Sequence, residues 1–139
     1  MLNSDVNVIT YNDKLDISNI KNVCSDYDII VDGLDNYSSR YLVDKECKNS
    51  NKPYIYGAIG GYIGQVSVFN YNGGISYIDL YPESEVVTEV RGIYNVLAGI
   101  TGMFEANEVI KIITGLGEVL SGKLLQYDLR TNMSEIFIV

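Results

Sequence analysis

The segment Asp32-Gly33-Leu34-Asp35-Asn36, with Arg40 one helical turn further on, gathers two carboxylates, an amide and a guanidinium. It follows Asp28-Ile29-Ile30-Val31, a short β-branched run bounded by polar residues that reads as a buried parallel strand. In open α/β sheets ligands bind outside the carboxyl ends of the strands. Carboxylates and an amide at such an end, followed by a helix N-terminus, can hold and orient a metal–phosphate group. Arg40 can pair with Asp35 or reach a ligand. The same residue types are also common as turn and N-cap residues after a strand. The residues by themselves leave both readings open.

The elements that would position this segment can be read from periodicity. Val6-Asn7-Val8-Ile9-Thr10 alternates as a half-buried strand does. Asp16 to Ser25 has Ile17, Ile20 and Val23/Cys24 at helical spacing, with Asp16 placed to cap the first turn. Ser38 to Lys48 forms a second helix, with Tyr41, Leu42, Val43 and Cys47 on its apolar side, and Tyr54-Ile55-Tyr56 a third strand. Residues 1–60 thus read as a βαβαβ unit, the logic of a parallel sheet with right-handed crossovers.

Residues 61–139 change character within the same single domain. Gln65–Phe69 and Ile75–Leu80 flank Asn70-Tyr71-Asn72-Gly73-Gly74, which predicts a β-hairpin. The acidic stretch Pro82 to Arg91 predicts an exposed loop. Gly92 to Thr114 predicts one long helix, with Ile93, Leu97, Ile100, Phe104 and Ile110 on one face, small residues Ala98/Gly99, Gly102 and Ala106 on another, and Gly115 ending it. Lys123–Asp128 and Ser134–Val139 predict a final hairpin around Arg130-Thr131-Asn132. The expected fold class is α/β: a partial Rossmann-like parallel sheet followed by antiparallel hairpins and one long helix near the C-terminus.

Composition removes several chemistries. The 139 residues contain no histidine, which excludes Ser–His and Cys–His nucleophile pairs and histidine-ligated metals within this chain. The net charge of −8, with Lys and Arg scattered singly, argues against nucleic acid as a partner. No apolar run reaches the ~20 residues that span a bilayer, so no membrane partner is expected. Met1-Leu2-Asn3-Ser4-Asp5 lacks the basic-then-apolar pattern of a secretory signal, and two cysteines make no disulfide framework. A reducing cytoplasm is the expected compartment. Cys24 and Cys47, on apolar helix sides, are expected to be buried, inert thiols.

Five blocks, taken in order, resemble the ThiF/MoeB/HesA family of ubiquitin-activating-like adenylyltransferases. They are Asp28 to Asn36 with Arg40, Lys52-Pro53-Tyr54-Ile55-Tyr56-Gly57-Ala58, Gly64 to Phe69, Glu108 to Lys111 with Gly115, and Ser121 to Asp128. The resemblance runs from about Asn3 to the C-terminus and corresponds to the C-terminal half of a family member. It implies activation of the C-terminal carboxylate of a ubiquitin-like or sulfur-carrier protein by ATP and Mg2+. By the same resemblance Asp35 would be the catalytic acid near the phosphates and the metal, Asn36 and Arg40 would support it in cofactor binding, and a homodimer is expected.

Departures from the family pattern carry their own expectations. The family's glycine-rich first βα turn has no counterpart here; Gly57-Ala58-Ile59-Gly60-Gly61 follows the third strand and is not a GxGxxG. Weak nucleotide binding by this chain alone is therefore expected. The first Cys-x-x-Cys pair of the family's structural zinc would fall at Ser76-Tyr77-Ile78-Asp79, so no zinc is expected. No cysteine stands in Pro82–Arg91 for a thioester or persulfide. The competing expectation is a non-catalytic module for dimerisation or carrier docking that keeps relics of an ATP site. A dinucleotide-dependent oxidoreductase would need the missing glycine motif.

Overall fold

In a computed structural model, which describes residues 3–83, 92 and 94–139, five strands form one mixed sheet in the order β1-β2-β3-β4-β5. The strands are β1 (Ile30–Val31), β2 (Tyr54–Gly60), β3 (Ile63–Phe69), β4 (Lys123–Asp128) and β5 (Met133–Ile138). Only β1 and β2 are parallel; every other neighbouring pair is antiparallel. The helices are α1 (Ile20–Ser25), α2 (Tyr37–Ser50), α3 (Tyr77–Leu80) and α4 (Asn95–Thr114). α/β layering with a short parallel part, antiparallel hairpins and one long helix agrees with the expected fold class.

Successive residues of β2 explain the two-sided core. Tyr54 and Tyr56 point to one face, where they join Ile20, Cys24, Val43, Cys47, Phe69 and Tyr77 from α1, α2, β3 and α3. Ile55 points to the other, with Val66, Val68, Leu97, Leu120 and Tyr127 beneath α4. A strand covered on both faces reads as a continuous apolar run rather than an alternating one. Cys24 and Cys47 are both buried, and burial pushes the Cys47 thiol up to about 12, as expected of an inert core thiol.

Several boundaries differ from the sequence reading. Val6–Thr10 is not a strand; it is exposed and, among the described residues, pairs with no strand of the sheet, so its alternation buries no face. β1 is parallel as expected but not buried: Val31 stands at the open edge, 48% exposed. Asp16 caps a turn upstream of α1, its carboxylate accepting from the Ser18 amide and hydroxyl, while α1 itself begins at Ile20. The expected first βαβ is therefore absent and the second is present.

The hairpin expected around Asn70–Gly74 is also displaced. β3 pairs with β2 through a two-residue loop, Gly61-Tyr62, in register Gly60↔Ile63, with Gly61 at φ 60°. The glycine-rich run Gly57–Gly60 is thus part of β2 itself. Ile75–Leu80 is not a strand but leads into α3, where Ser76 and Asp79 form a capping box: Ser76 N–H donates to Asp79 Oδ2 at 2.9 Å and its hydroxyl at 2.5 Å. A Ser-x-x-Asp spacing is a helix-start signal that the Asn/Gly turn obscured. These are the two positions where the resemblance would put the first thiol pair. The Pro82–Arg91 loop lies outside the described residues from 84 onward, as does Ile93.

Asp44, buried on α2, fastens α3 to the core. Its Oδ1 accepts from Asn70 Nδ2 (2.8 Å) and Tyr77 N–H (2.9 Å), and its Oδ2 accepts from Ile78 N–H (3.4 Å). Charge-assisted hydrogen bonds contribute roughly 1.5–3 kcal/mol each, and buried donors left without a partner cost about 1–3 kcal/mol. Asp44→Ala is expected to destabilise the chain by about 3 kcal/mol in urea unfolding, with no change in the sheet signature by circular dichroism.

Candidate functional site

The site sits where β1 ends and α2 begins. The chain leaves the sheet at Asp32, whose side chain is buried. Its Oδ1 accepts from Leu34 N–H at 2.7 Å, closing an Asx-turn, and its Oδ2 accepts from Arg40 Nε at 2.8 Å. Arg40 Nη2 donates to Leu34 O (2.7 Å) and to Gly57 O on β2 (3.1 Å). The guanidinium also lies over the Tyr56 ring, 5.4 Å from its centroid. Desolvation works against the Arg40 charge, but the Asp32 carboxylate together with Tyr56 and Tyr54 outweighs it and raises the guanidinium above its usual range.

This arrangement decides what Arg40 does. Arg40 pairs with Asp32 rather than Asp35, and one guanidinium clamps the end of β1, the turn at Leu34 and the middle of β2. Asn36 caps α2: its Oδ1 accepts from Ser39 N–H (2.9 Å) and from the Ser38 hydroxyl (2.9 Å). Its Nδ2 donates to Asp35 Oδ1 at 3.0 Å. Asp35 is exposed, on the turn between Leu34 and the helix cap. Of the three residues singled out from the sequence, Asn36 and Arg40 are thus engaged in structural hydrogen bonds and Asp35 presents its carboxylate to solvent. The cap belongs to Asn36, and the solvent-exposed carboxylate to Asp35.

The long helix contributes a residue that sequence reading missed. Of the apolar face expected from Ile93, Leu97, Ile100, Phe104 and Ile110, Leu97 is buried and Ile100 packs against the core, Phe104 and Ile110 do not belong to the buried face, and Ile93 lies outside the described residues. α4 lies on β2 and β3 and buries Leu97, Thr101, Glu105 and Glu108, while Phe104 and Ile110 are exposed. Ala98, Gly99, Gly102 and Ala106 are exposed too, and a side chain at Gly99 or Gly102 would meet nothing within 4 Å. The signal was available: counting in fours from Leu97 brings Thr101 and Glu105 onto its face, and polar type outweighed position.

Each buried polar group on α4 has a definite neighbour. Thr101 Oγ1 and the Tyr127 hydroxyl lie 2.5 Å apart. Glu108 Oε2 accepts from Leu120 N–H (2.9 Å) and Oε1 from Lys111 Nζ (2.5 Å), tying the helix to the lead-in of β4. Glu105 differs. Its carboxyl lies against Gly57, where a Cβ would come within 2.4 Å of Glu105 Cδ, and its Oε1 is buried without a hydrogen bond. Burial, reinforced by the Asp32 charge and opposed by Arg40, pushes the Glu105 carboxyl up to about 7.

Among the described residues no three Asp, Glu or Cys side chains converge as a metal cluster. A magnesium ion does not need such a cluster; it is commonly held by one or two carboxylates together with substrate phosphates. The exposed Asp35 carboxylate suits that donor set, whereas Asp32, committed to Arg40, does not.

The sequence matches the ThiF family over residues 1–138. The chain belongs to the ThiF family. It is 42% identical over 134 residues to a probable molybdopterin-synthase adenylyltransferase of Gracilaria tenuistipitata var. liui, covering 93% of this chain and 38% of that protein. It is 36% identical over 132 residues to adenylyltransferase and sulfurtransferase MOCS3-1 of Zea mays, covering 91% of this chain and 28% of that protein. The crystal structure of E. coli MccB with ATP superposes with a TM-score of 0.65 at 19% identity, over 89% of this chain and 40% of that one. This ThiF-family chain therefore spans under half the length of the relatives it matches, and its fold is that of the MccB segment.

Glu105 gives the site a pH dependence with a definite sign. Its folded value, about 7, lies above the ordinary 4.5, so between these values the folded state holds a proton that the unfolded state has lost. Its contribution to stability is greatest below about 4.5, falls as the pH rises towards 7, and changes no further above that. At about 1.4 kcal/mol per unit, the span is up to about 3 kcal/mol. Glu105→Gln is expected to be more stable than the parent chain at pH 8 and to remove this component from the stability–pH profile measured by urea unfolding.

Proposed function

We propose that this chain is part of an ATP-dependent enzyme that adenylates the C-terminal carboxylate of a sulfur-carrier or ubiquitin-like protein. The observation that carries the reading is the division of labour at the strand end. Asp32, Arg40 and Asn36 are consumed in holding the turn, and Asp35 is left exposed on a rigid mount beside a helix N-terminus. Family membership and the adenylyltransferase relatives supply the reaction class.

In that reaction a carboxylate oxygen of the carrier terminus forms a bond to the α-phosphorus of ATP as the bond to pyrophosphate breaks. Catalysis of this kind rests on positioning and on neutralising charge between two anions. Asp35 would hold a magnesium ion with the nucleotide, and the ion would supply that neutralisation. The N-terminal end of α2, with its dipole, favours negative charge at the same place. Asp32 and Arg40 contribute by fixing the backbone from which Asp35 projects. The residues of the glycine-rich nucleotide loop would come from the remainder of the enzyme, so Mg-ATP binding by this chain alone is weak in this account.

A homodimer is part of the proposal. The outer flank of α4 carries Val96 and Met103 in solvent next to Gly99, with Phe104 partly exposed against the Tyr127 ring, and so presents apolar area with room for close backbone approach. The non-catalytic docking reading draws on the same flank, and it predicts that loss of Asp35 has no effect on any reaction.

The test is Asp35→Ala in the full-length enzyme that carries this chain, or in the chain reconstituted with a nucleotide-binding half. Carrier-dependent pyrophosphate exchange is expected to fall by about a hundredfold or more, with stability changed by no more than about 0.5 kcal/mol. Light scattering on the same samples is expected to return twice the protomer mass for both proteins. Exchange at the parental rate in the variant would reject the assignment.

A further inference from the structure

One cation faces two buried acids at the heart of this molecule. Asp32, at the end of β1, holds Arg40 through Nε at 2.8 Å, and both side chains are nearly removed from solvent. Glu105 approaches from the opposite layer, its carboxyl against Gly57, the residue whose carbonyl accepts from Arg40 Nη2. Glu105 Oε1 is buried and has no hydrogen-bond partner. Such an atom is tolerated as part of a neutral carboxyl far more readily than as part of a carboxylate.

Among the described residues, the charged or titratable groups that act on this carboxyl are Asp32 from the end of β1 and Arg40 from α2, and it in turn acts on the Tyr127 phenol of β4. β3 carries no titratable residue, and the tyrosines of β2 belong to the opposite core cluster. On α4 itself, Glu108 is occupied by Lys111 and Leu120. Among the described residues, Arg40 is the one cation that acts on Glu105.

We propose that Glu105 is a proton-linked positioning residue: neutral, it leaves Arg40 clamped on Asp32, Leu34 and Gly57; ionised, it draws the guanidinium away from Asp32 and releases the turn that carries Asp35. The physical reason is competition. A buried carboxylate without a partner costs several kcal/mol, and the nearest remedy is a share of the Arg40 charge. The donors that lose their hold are the two Nη2 bonds to Leu34 O and Gly57 O and the Nε bond to Asp32, and these fix the loop Gly33–Asn36. The consequence for catalysis rests on the proposed role of Asp35; the movement of Arg40 does not.

Nitrogen-15 NMR of the Arg40 Nε–H reads the clamp directly in this chain. Between pH 5.5 and 8.5 its resonance is expected to shift with a single midpoint near 7, shared with the Glu105 carboxyl carbon. In Glu105→Gln the Arg40 resonance is expected to stay put over that range. An Arg40 signal that does not move in the parent chain, or that moves identically in Glu105→Gln, overturns the proposal. If Glu105→Gln does not fold, the parent chain still decides: different midpoints for Arg40 and Glu105 overturn it, a common one sustains it. In the full-length enzyme, pyrophosphate exchange is expected to drop about tenfold from pH 6 to pH 8 and to be flat in Glu105→Gln. Exchange that is absent at every pH, with the NMR result as expected, counts against the adenylation reading and leaves the positioning role standing.

Discussion

The buried pair between Asp32 and Arg40 is the interaction on which the rest of the site depends. It joins three elements that are distant in sequence: the end of β1, the second turn of α2 and the middle of β2. Its desolvation cost is offset by hydrogen bonds on both partners. Asp32 takes Arg40 and the Leu34 amide, and Arg40 takes Asp32 and two carbonyls. An isolated surface pair would add little and would fix nothing. A buried pair bonded in this way fixes a turn, and here the turn carries the one carboxylate of the group that faces water.

The opposite layer meets the same point from the other side. Helices usually pack with their apolar stripe inward, yet α4 turns Thr101, Glu105 and Glu108 to the sheet and leaves Met103, Phe104 and Ile110 outside. Two of the inward polar groups are bonded: Thr101 to Tyr127, and Glu108 to Leu120 and Lys111. They register the helix on β4 and on the segment that leads into it. The outward apolar residues are then what remains of the helix for other protein, and the proposed dimer uses them. Glu105 is the exception among the inward groups, and its approach requires a glycine at position 57, because any Cβ there would overlap its carboxyl.

Much of this was legible in the sequence. The residues from Asp28 to Arg40 gave the strand, turn and helix in the right order, and the β-branched run, the Asn36 cap and the spacing to Arg40 are local signals. Gly115 marked the end of the long helix and adopts φ 68° there. The final hairpin was readable because its turn, Arg130-Thr131-Asn132, separates two alternating runs. The misreadings share one cause: the outcome was set by a partner that the local sequence does not display. Val6–Thr10 alternates like a strand but pairs with no strand of the sheet. Ile75–Leu80 alternates too, yet Asp44 from α2 stabilises a helical turn there. Arg40 is four residues from Asn36 and five from Asp35, but it reaches back eight residues to Asp32 because that carboxylate is buried and needs a cation. Glu105 was passed over because a polar residue on a helix is normally a solvated one, and only the third dimension brings it to Gly57.

The central claim is that Arg40 works with Asp32 and not with Asp35. A pair of double-mutant cycles, measured by urea unfolding, tests it most directly: Arg40→Met with Asp32→Asn, and Arg40→Met with Asp35→Asn. The account predicts a coupling of about 2 kcal/mol or more in the first cycle and additivity within about 0.5 kcal/mol in the second. Additive effects of Arg40 and Asp32, or a strong coupling of Arg40 to Asp35, would contradict it.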